Sequence, residues 1–419
     1  MSHPLSSFTR CVPWLVTATL CCASAHAADD GLSGDWGGKR RALQDKGVEV
    51  NLGYTSEDVR VVRGGQRRAS AHAGQLALGT RLDLEKLWGW DRTEAQVMLT
   101  QRDGHDVGER AGLGLLSQSA EVYGRGNISR LTRLWLRHES ADGRWDIKAG
   151  RVGVGEDFAS LDCTAMYLAL CGGQPGSFAG DYWHNWPISQ WGGRLQYRPD
   201  PQVYVRAGVY QLNPRYANTH GGGFRFAPSG TQGTLTPVEL GWEPMLGGRQ
   251  GRYSVGGWYS SAPRADALQP AEAAGDLGPM MRSGSYGGWF HAGQKLSGGA
   301  RDDEQGLRAQ LAYAQGDART SRINRMLYGL LTWNGPLAAR PQDQLGAGMA
   351  LTWLNPRVSR QLAAPGMGVH PEQALEVFYG VSVMPGLRLQ PTVQYIRHPG
   401  GLGKQKAAGV IGLKTQLDF

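Results

Sequence analysis

A transmembrane antiparallel β-barrel of sixteen strands, an all-β fold, is what this sequence predicts, and three observations carry that reading. The last stretch, Ala407 to Phe419, alternates. Ile411, Leu413, Leu417 and Phe419 fall on one face with Thr415, and Lys414, Gln416 and Asp418 fall on the other. Period two marks a strand with one apolar and one polar side. Similar segments of about ten residues recur along the chain, the weak per-segment pattern of an outer-membrane barrel. The composition agrees: 62 of 419 residues are glycine, with 14 tryptophans and 15 tyrosines. No stretch after the first 27 residues has the length of apolar sequence that a membrane-crossing helix requires.

Taken in order, residues 1–27 read as a secretory signal. Arg10 supplies the positive start, Val12 to Cys22 the apolar run, and Ala25-His26-Ala27 the cleavage site. Cys11, Cys21 and Cys22 leave with it. Cys163 and Cys171 remain, and an even pair in an oxidising compartment predicts a disulfide, with two buried free thiols as the alternative. The chain carries 44 basic and 36 acidic residues, a net charge of +8. With no clustered basic helix or recognition motif, that excess does not predict nucleic-acid binding. Positive charge lining a pore or facing lipopolysaccharide fits better.

Residues 28–47 read as a periplasmic segment with a short helix over 39–46, Asp35 as its cap and Gly47 as its stop. From 48 to 419 the chain reads as one barrel domain. Alternating segments fall at 48–57, 73–85, 93–102, 130–138, 145–152, 189–198, 202–211 and 236–242. They continue at 252–260, 283–292, 305–315, 323–333, 344–354, 373–384, 387–397 and 407–419. Several even-numbered segments are followed by short connections such as Pro385-Gly386, and most odd-numbered ones by long loops rich in Gly, Asp and Arg. That is the pattern of periplasmic turns and extracellular loops. Trp88, Trp90, Trp242, Trp289, Trp333 and Trp353 lie near strand ends, where interfacial girdles form.

Catalysis finds little footing. There is no G-x-S-x-G elbow, no H-E-x-x-H and no phosphate-binding glycine loop before a helix. The chain reads as no enzyme and as needing no cofactor or metal, with an outer-membrane hydrolase as the remote alternative. Two long loops stand out, one from Gln101 to Gly126 and one from Gly155 to Pro187. Loops longer than about 15 residues are normally functional or disordered. These pair acids with bases and add aromatics. Folded into the lumen, Arg and Glu can donate to and accept from sugar hydroxyls while a Trp face stacks on a pyranose ring. The bland alternative makes Arg102, Glu121 and Arg125 solvated loop charges, and Trp183 and Trp186 girdle residues.

At these loops the chain resembles the carbohydrate-selective porins, the OprB-like family of Gram-negative outer membranes. The resemblance lies in Gly34-Asp35-Trp36-Gly37-Gly38, Glu121-Val122-Tyr123-Gly124-Arg125-Gly126 and Asp146-Ile147-Lys148-Ala149-Gly150-Arg151. It continues through Gly155-Glu156-Asp157-Phe158 and Asn185-Trp186-Pro187-Ile188-Ser189-Gln190-Trp191 to Pro399-Gly400-Gly401. It implies a bacterial outer-membrane channel passing glucose and related monosaccharides by facilitated diffusion. By motif, Arg102, Glu121, Arg125 and Trp186 would form the constriction, with Arg130, Arg151, Glu156, Asp157, Trp183 and Asn185 as further candidates around it. A general or anion-preferring porin is the runner-up reading. Whether the barrel stands alone or as a homotrimer stays open.

Overall fold

The computed structural model describes residues 31–269, 279–298, 304–363 and 365–419, so the predicted signal peptide lies outside the described residues. Sixteen strands form one closed antiparallel barrel. The first eight are β1 Val48–Arg63, β2 Ser70–Asp83, β3 Thr93–Gly104, β4 Ile128–Glu139, β5 Trp145–Val152, β6 Gln190–Asp200, β7 Val203–Leu212 and β8 Gly233–Trp242. The second eight are β9 Arg249–Ser260, β10 Ser285–Lys295, β11 Gly306–Gly316, β12 Ile323–Asn334, β13 Gln344–Leu354, β14 Glu372–Met384, β15 Leu387–Arg397 and β16 Ala408–Asp418. Each pairs with its chain neighbours, and β1 pairs with both β2 and β16, which closes the sheet. A two-residue ladder extends the turn between β8 and β9, and another joins Arg264–Ala265 to Met281–Arg282.

All sixteen predicted segments become strands, three with the predicted ends (145–152, 344–354 and 387–397) and the others with ends shifted. β1 runs on to Arg63, past the predicted end at residue 57. β2 stops at Asp83, because the Asp83 carboxylate accepts from the backbone N–H groups of Glu85 and Lys86 and starts a helical turn, Leu84–Trp88. The N-terminal helix, Lys39–Asp45, begins after Gly38, not Asp35. Asp35 instead braces its first turn, accepting from the Arg41 N–H at 3.0 Å. The turn between β14 and β15 is the two residues Pro385-Gly386. Gly386 has φ +74°, and any Cβ there would strike the Asp418 carbonyl oxygen, so the position requires glycine. At this short-turn end the two ends of the described chain also meet, through Leu32 N–H to Asp418 O at 2.8 Å.

The faces of the wall separate as alternation requires. Leu76, Leu99, Val238, Met349, Val393 and Ile411 are exposed on the outward face, the apolar belt of a barrel in lipid. Trp88, Trp90, Trp242 and Trp333 are exposed at strand ends as predicted, and Trp353 is half-buried beneath Arg325. Trp289 departs from the prediction. It is only 3% exposed and points into the lumen, where its ring meets Trp183 edge-on at 5.6 Å.

A hydrophobic core therefore lies inside the barrel. It is built by residues 153–189, with Phe158, Met166, Tyr167, Leu170 and Trp183 packed on inward side chains such as Trp258, Trp289, Tyr328 and Phe378. Cys163 and Cys171 are disulfide-bonded within this segment. Closing so short a loop is worth about 2–3 kcal/mol by chain entropy. Denatured, unreduced protein is expected to show no alkylatable thiol at either position. Mass spectrometry after iodoacetamide treatment checks this, and two labelled cysteines would contradict the bridge.

Candidate pore constriction

The two long connections at the long-loop end fold inward because wall side chains hold their backbones. On β14, Glu372 accepts from Leu116 N–H (2.8 Å), Ser117 N–H (3.2 Å), Gly400 N–H (2.8 Å) and the Tyr167 hydroxyl (2.7 Å). Two inward positions further along the strand, Glu376 accepts from the Met166 and Tyr167 N–H groups, both at 2.7 Å. On β15, Gln390 and Gln394 donate to the carbonyls of Thr164 and Ser119. Across the lumen, Glu239 on β8 accepts from Ala159 N–H at 3.1 Å. A buried carboxylate gripping backbone N–H groups makes charge-assisted bonds that a mobile loop would lack.

The rest of the inner wall from β2 to β8 is a ladder of alternating charge. Arg137 on β4 reaches Glu94 and Asp146, each at 2.8 Å. Arg194 on β6 reaches Asp146 at 2.8 Å and Asp157 at 3.3 Å, and Lys148 reaches Asp157 at 2.6 Å. Each of these charges is paired, which offsets the cost of taking it out of water.

Among the predicted site residues, the structure brings Arg102 and Trp186 onto one anchor. Gln75 of β2 accepts from Arg102 Nε at 2.7 Å and from Trp186 Nε1 at 2.7 Å. Arg133 lies over the Trp186 ring at 4.8 Å, and its Nε donates to Glu156 at 2.6 Å. The indole itself stays half-buried. Glu121 accepts from Lys414 Nζ at 2.9 Å. Burial acts to raise the Glu121 carboxyl, but Lys414 and then Arg102 outweigh it and hold the group below the usual carboxylate range. Arg125 is exposed at φ +68°, between Gly124 and Gly126, which also have positive φ. Its carbonyl accepts from Arg130 at 2.7 Å, which holds this strained curl in place.

Five predicted site residues serve elsewhere. Arg130 is buried and donates to the carbonyls of Tyr216, Ala217 and Arg125. Arg151 is buried, donates to the carbonyls of Arg225 and Ser189, and stacks on Tyr216 at 4.3 Å. Both guanidiniums brace loops through these carbonyls. Asp157 is sealed between Lys148 and Arg194, and Trp183 belongs to the core. Asn185 braces the second loop from within, accepting from Trp183 Nε1 at 3.0 Å and donating to the Gly173 carbonyl at 2.8 Å. His184, beside it, is pushed down to about 3 by burial, with Arg125 and Arg151 adding repulsion. It is neutral at any ordinary pH.

Gln75, Arg133, Glu57 and Lys414 escaped the sequence reading, although each sits at an inward register position of a recognised strand. Strand parity places them in the lumen; it does not reach the loop partners they also take, Trp186, Glu156, Val122 and Glu121.

Comparison with known proteins gives a consistent result. Residues 67–419 match the family described as carbohydrate-selective porin, OprB family. Porin B of Pseudomonas aeruginosa is 36% identical over 95% of this chain and 94% of its own length. A putative porin, QuiX, of Acinetobacter baylyi is 33% identical over 93% of each. The structure of Pseudomonas putida OprB at high pH superposes with a TM-score of 0.87 at 33% identity, covering 93% of this chain and 99% of that one.

Proposed function

The chain belongs to the carbohydrate-selective OprB porin family, channels of the bacterial outer membrane, and on that premise we propose that it passes glucose and related monosaccharides passively through a constriction of Arg102, Glu121, Arg125 and Trp186. The family is one of channels rather than enzymes. The mature protein is then residues 28–419, with 28–47 as a periplasmic segment and 48–419 as the barrel. Diffusion down a gradient requires no cofactor.

One observation carries the reading: an indole half-exposed in the lumen, fixed at its N–H by Gln75 and covered on one face by Arg133. A pyranose ring presents apolar C–H faces and a rim of hydroxyls. Trp186 supplies the apolar surface, Arg102 and Arg125 supply donors, and Glu121 supplies an acceptor. Binding has to be weak enough for release on the far side, which suits one aromatic and a few exchangeable hydrogen bonds. Liposome swelling tests it. Monosaccharides are expected to enter faster than disaccharides, and equal rates for both would contradict it.

Charge around the passage favours a second, milder property. Arg102, Arg125, Arg133 and Lys414 face Glu57, Glu121 and Glu156, so one positive charge is in excess. A narrow low-dielectric passage focuses such an excess. Reversal potentials in a KCl gradient are expected to show mild anion preference. Clear cation preference would remove these side chains from the conducting path.

A further inference from the structure

Lys414 lies on the polar face of the last strand, directly opposite Glu57 of β1 in the ladder. A cross-strand ion pair there is ordinary and keeps a buried carboxylate from standing alone. The third member of the cluster is not ordinary. Lys414 Nζ sits 3.2 Å from Glu57 Oε1 and 2.9 Å from Oε1 of Glu121, which arrives from the inward loop. The side chains of Lys414 and Glu57 are 4% and 0% exposed, against 15% for Glu121. Glu57 also accepts from the N–H of Val122, the residue after Glu121, at 3.0 Å. One wall pair therefore grips the loop twice, at the Glu121 carboxylate and at the next peptide.

We propose that Lys414 is the positioning residue of the constriction: with Glu57 it fixes where the Glu121 carboxylate stands, so that one oxygen is held by the wall and the other faces a sugar hydroxyl. This rests on the sugar-channel reading above and adds a residue that the loops alone do not reveal. A carboxylate on a free loop would lose orientational freedom each time a sugar bound. Held in advance, it meets the hydroxyl at lower entropic cost. Lys414 acts through Glu121 and touches no solute itself.

Lys414→Gln alone leaves Glu57 as an uncompensated buried charge and costs the barrel stability. The informative variant is therefore Lys414→Gln combined with Glu57→Gln. It leaves the net charge unchanged and retains an amide oxygen for the Val122 N–H. Glucose block of the ion current is expected to weaken about five- to tenfold, the loss of roughly one charge-assisted hydrogen bond. Lys414→Arg, which keeps the ion pairs, should restore block to within about twofold of the parent. A double variant that blocks like the parent overturns the proposal. Trp186→Ala, measured alongside, separates two failures. Block lost there but intact in the double variant removes Lys414 alone; block intact in both removes the constriction and Lys414 with it.

Discussion

Trp186→Ala is expected to weaken glucose block of the ion current by about tenfold or more, taking an aromatic stack at roughly 1–3 kcal/mol. The indole lies between Gln75, which accepts its N–H, and Arg133, which covers one face. Removing it deletes the apolar surface, frees a Gln75 acceptor and uncovers a guanidinium. Single-channel conductance should therefore rise as affinity falls. A girdle tryptophan behaves otherwise: its loss lowers the yield of folded barrel and leaves sugar affinity alone. Heat-modifiable gel mobility and current noise with glucose read both properties from one preparation. Unchanged block in a folded variant would take Trp186 out of the site.

Glu376→Ala has the second large effect, and it acts on the seat of the constriction. Two buried N–H groups, those of Met166 and Tyr167, lose their acceptor together, and Gln394 loses a partner. Each unsatisfied buried donor costs about 1–3 kcal/mol, enough together to unseat the middle of segment 153–189. The expected result is a larger, noisier conductance and faster entry of disaccharides. The disulfide between Cys163 and Cys171 should keep the loop from opening fully, so reduction ought to worsen the defect. Glu376→Gln retains one carbonyl oxygen and should fall between parent and alanine variant. If disaccharide entry is unchanged in Glu376→Ala, the inward loop does not depend on this tether.

The barrel was legible because period-two alternation recurs from strand to strand, as far as the closing segment at Ala408–Asp418, despite register shifts such as that between Met98 and Leu99. The lumen was legible only in part. Trp289 sits at the middle of β10, away from either interface, and its parity with His291, both buried, places it inward. Arg130 and Arg151 carry the charge expected of pore residues, but their partners are carbonyls at residues 216, 217 and 225, in a loop far along the chain. Composition does not reveal such pairings. The same holds for Glu372 and Glu376. Their inward position follows from alternation, whereas their grip on loop peptides depends on how segments 105–127 and 153–189 fold.

Single-channel recording with a graded series of mono- and disaccharides tests the sugar-selective constriction most directly. Glucose should block the current in a saturable manner, with disaccharides blocking weakly or entering slowly. The glucose block should fall in Trp186→Ala and in Arg102→Ala while the variants still fold as heat-modifiable barrels. Currents indifferent to glucose in the parent protein, or a block of equal strength in parent and both variants, would contradict it.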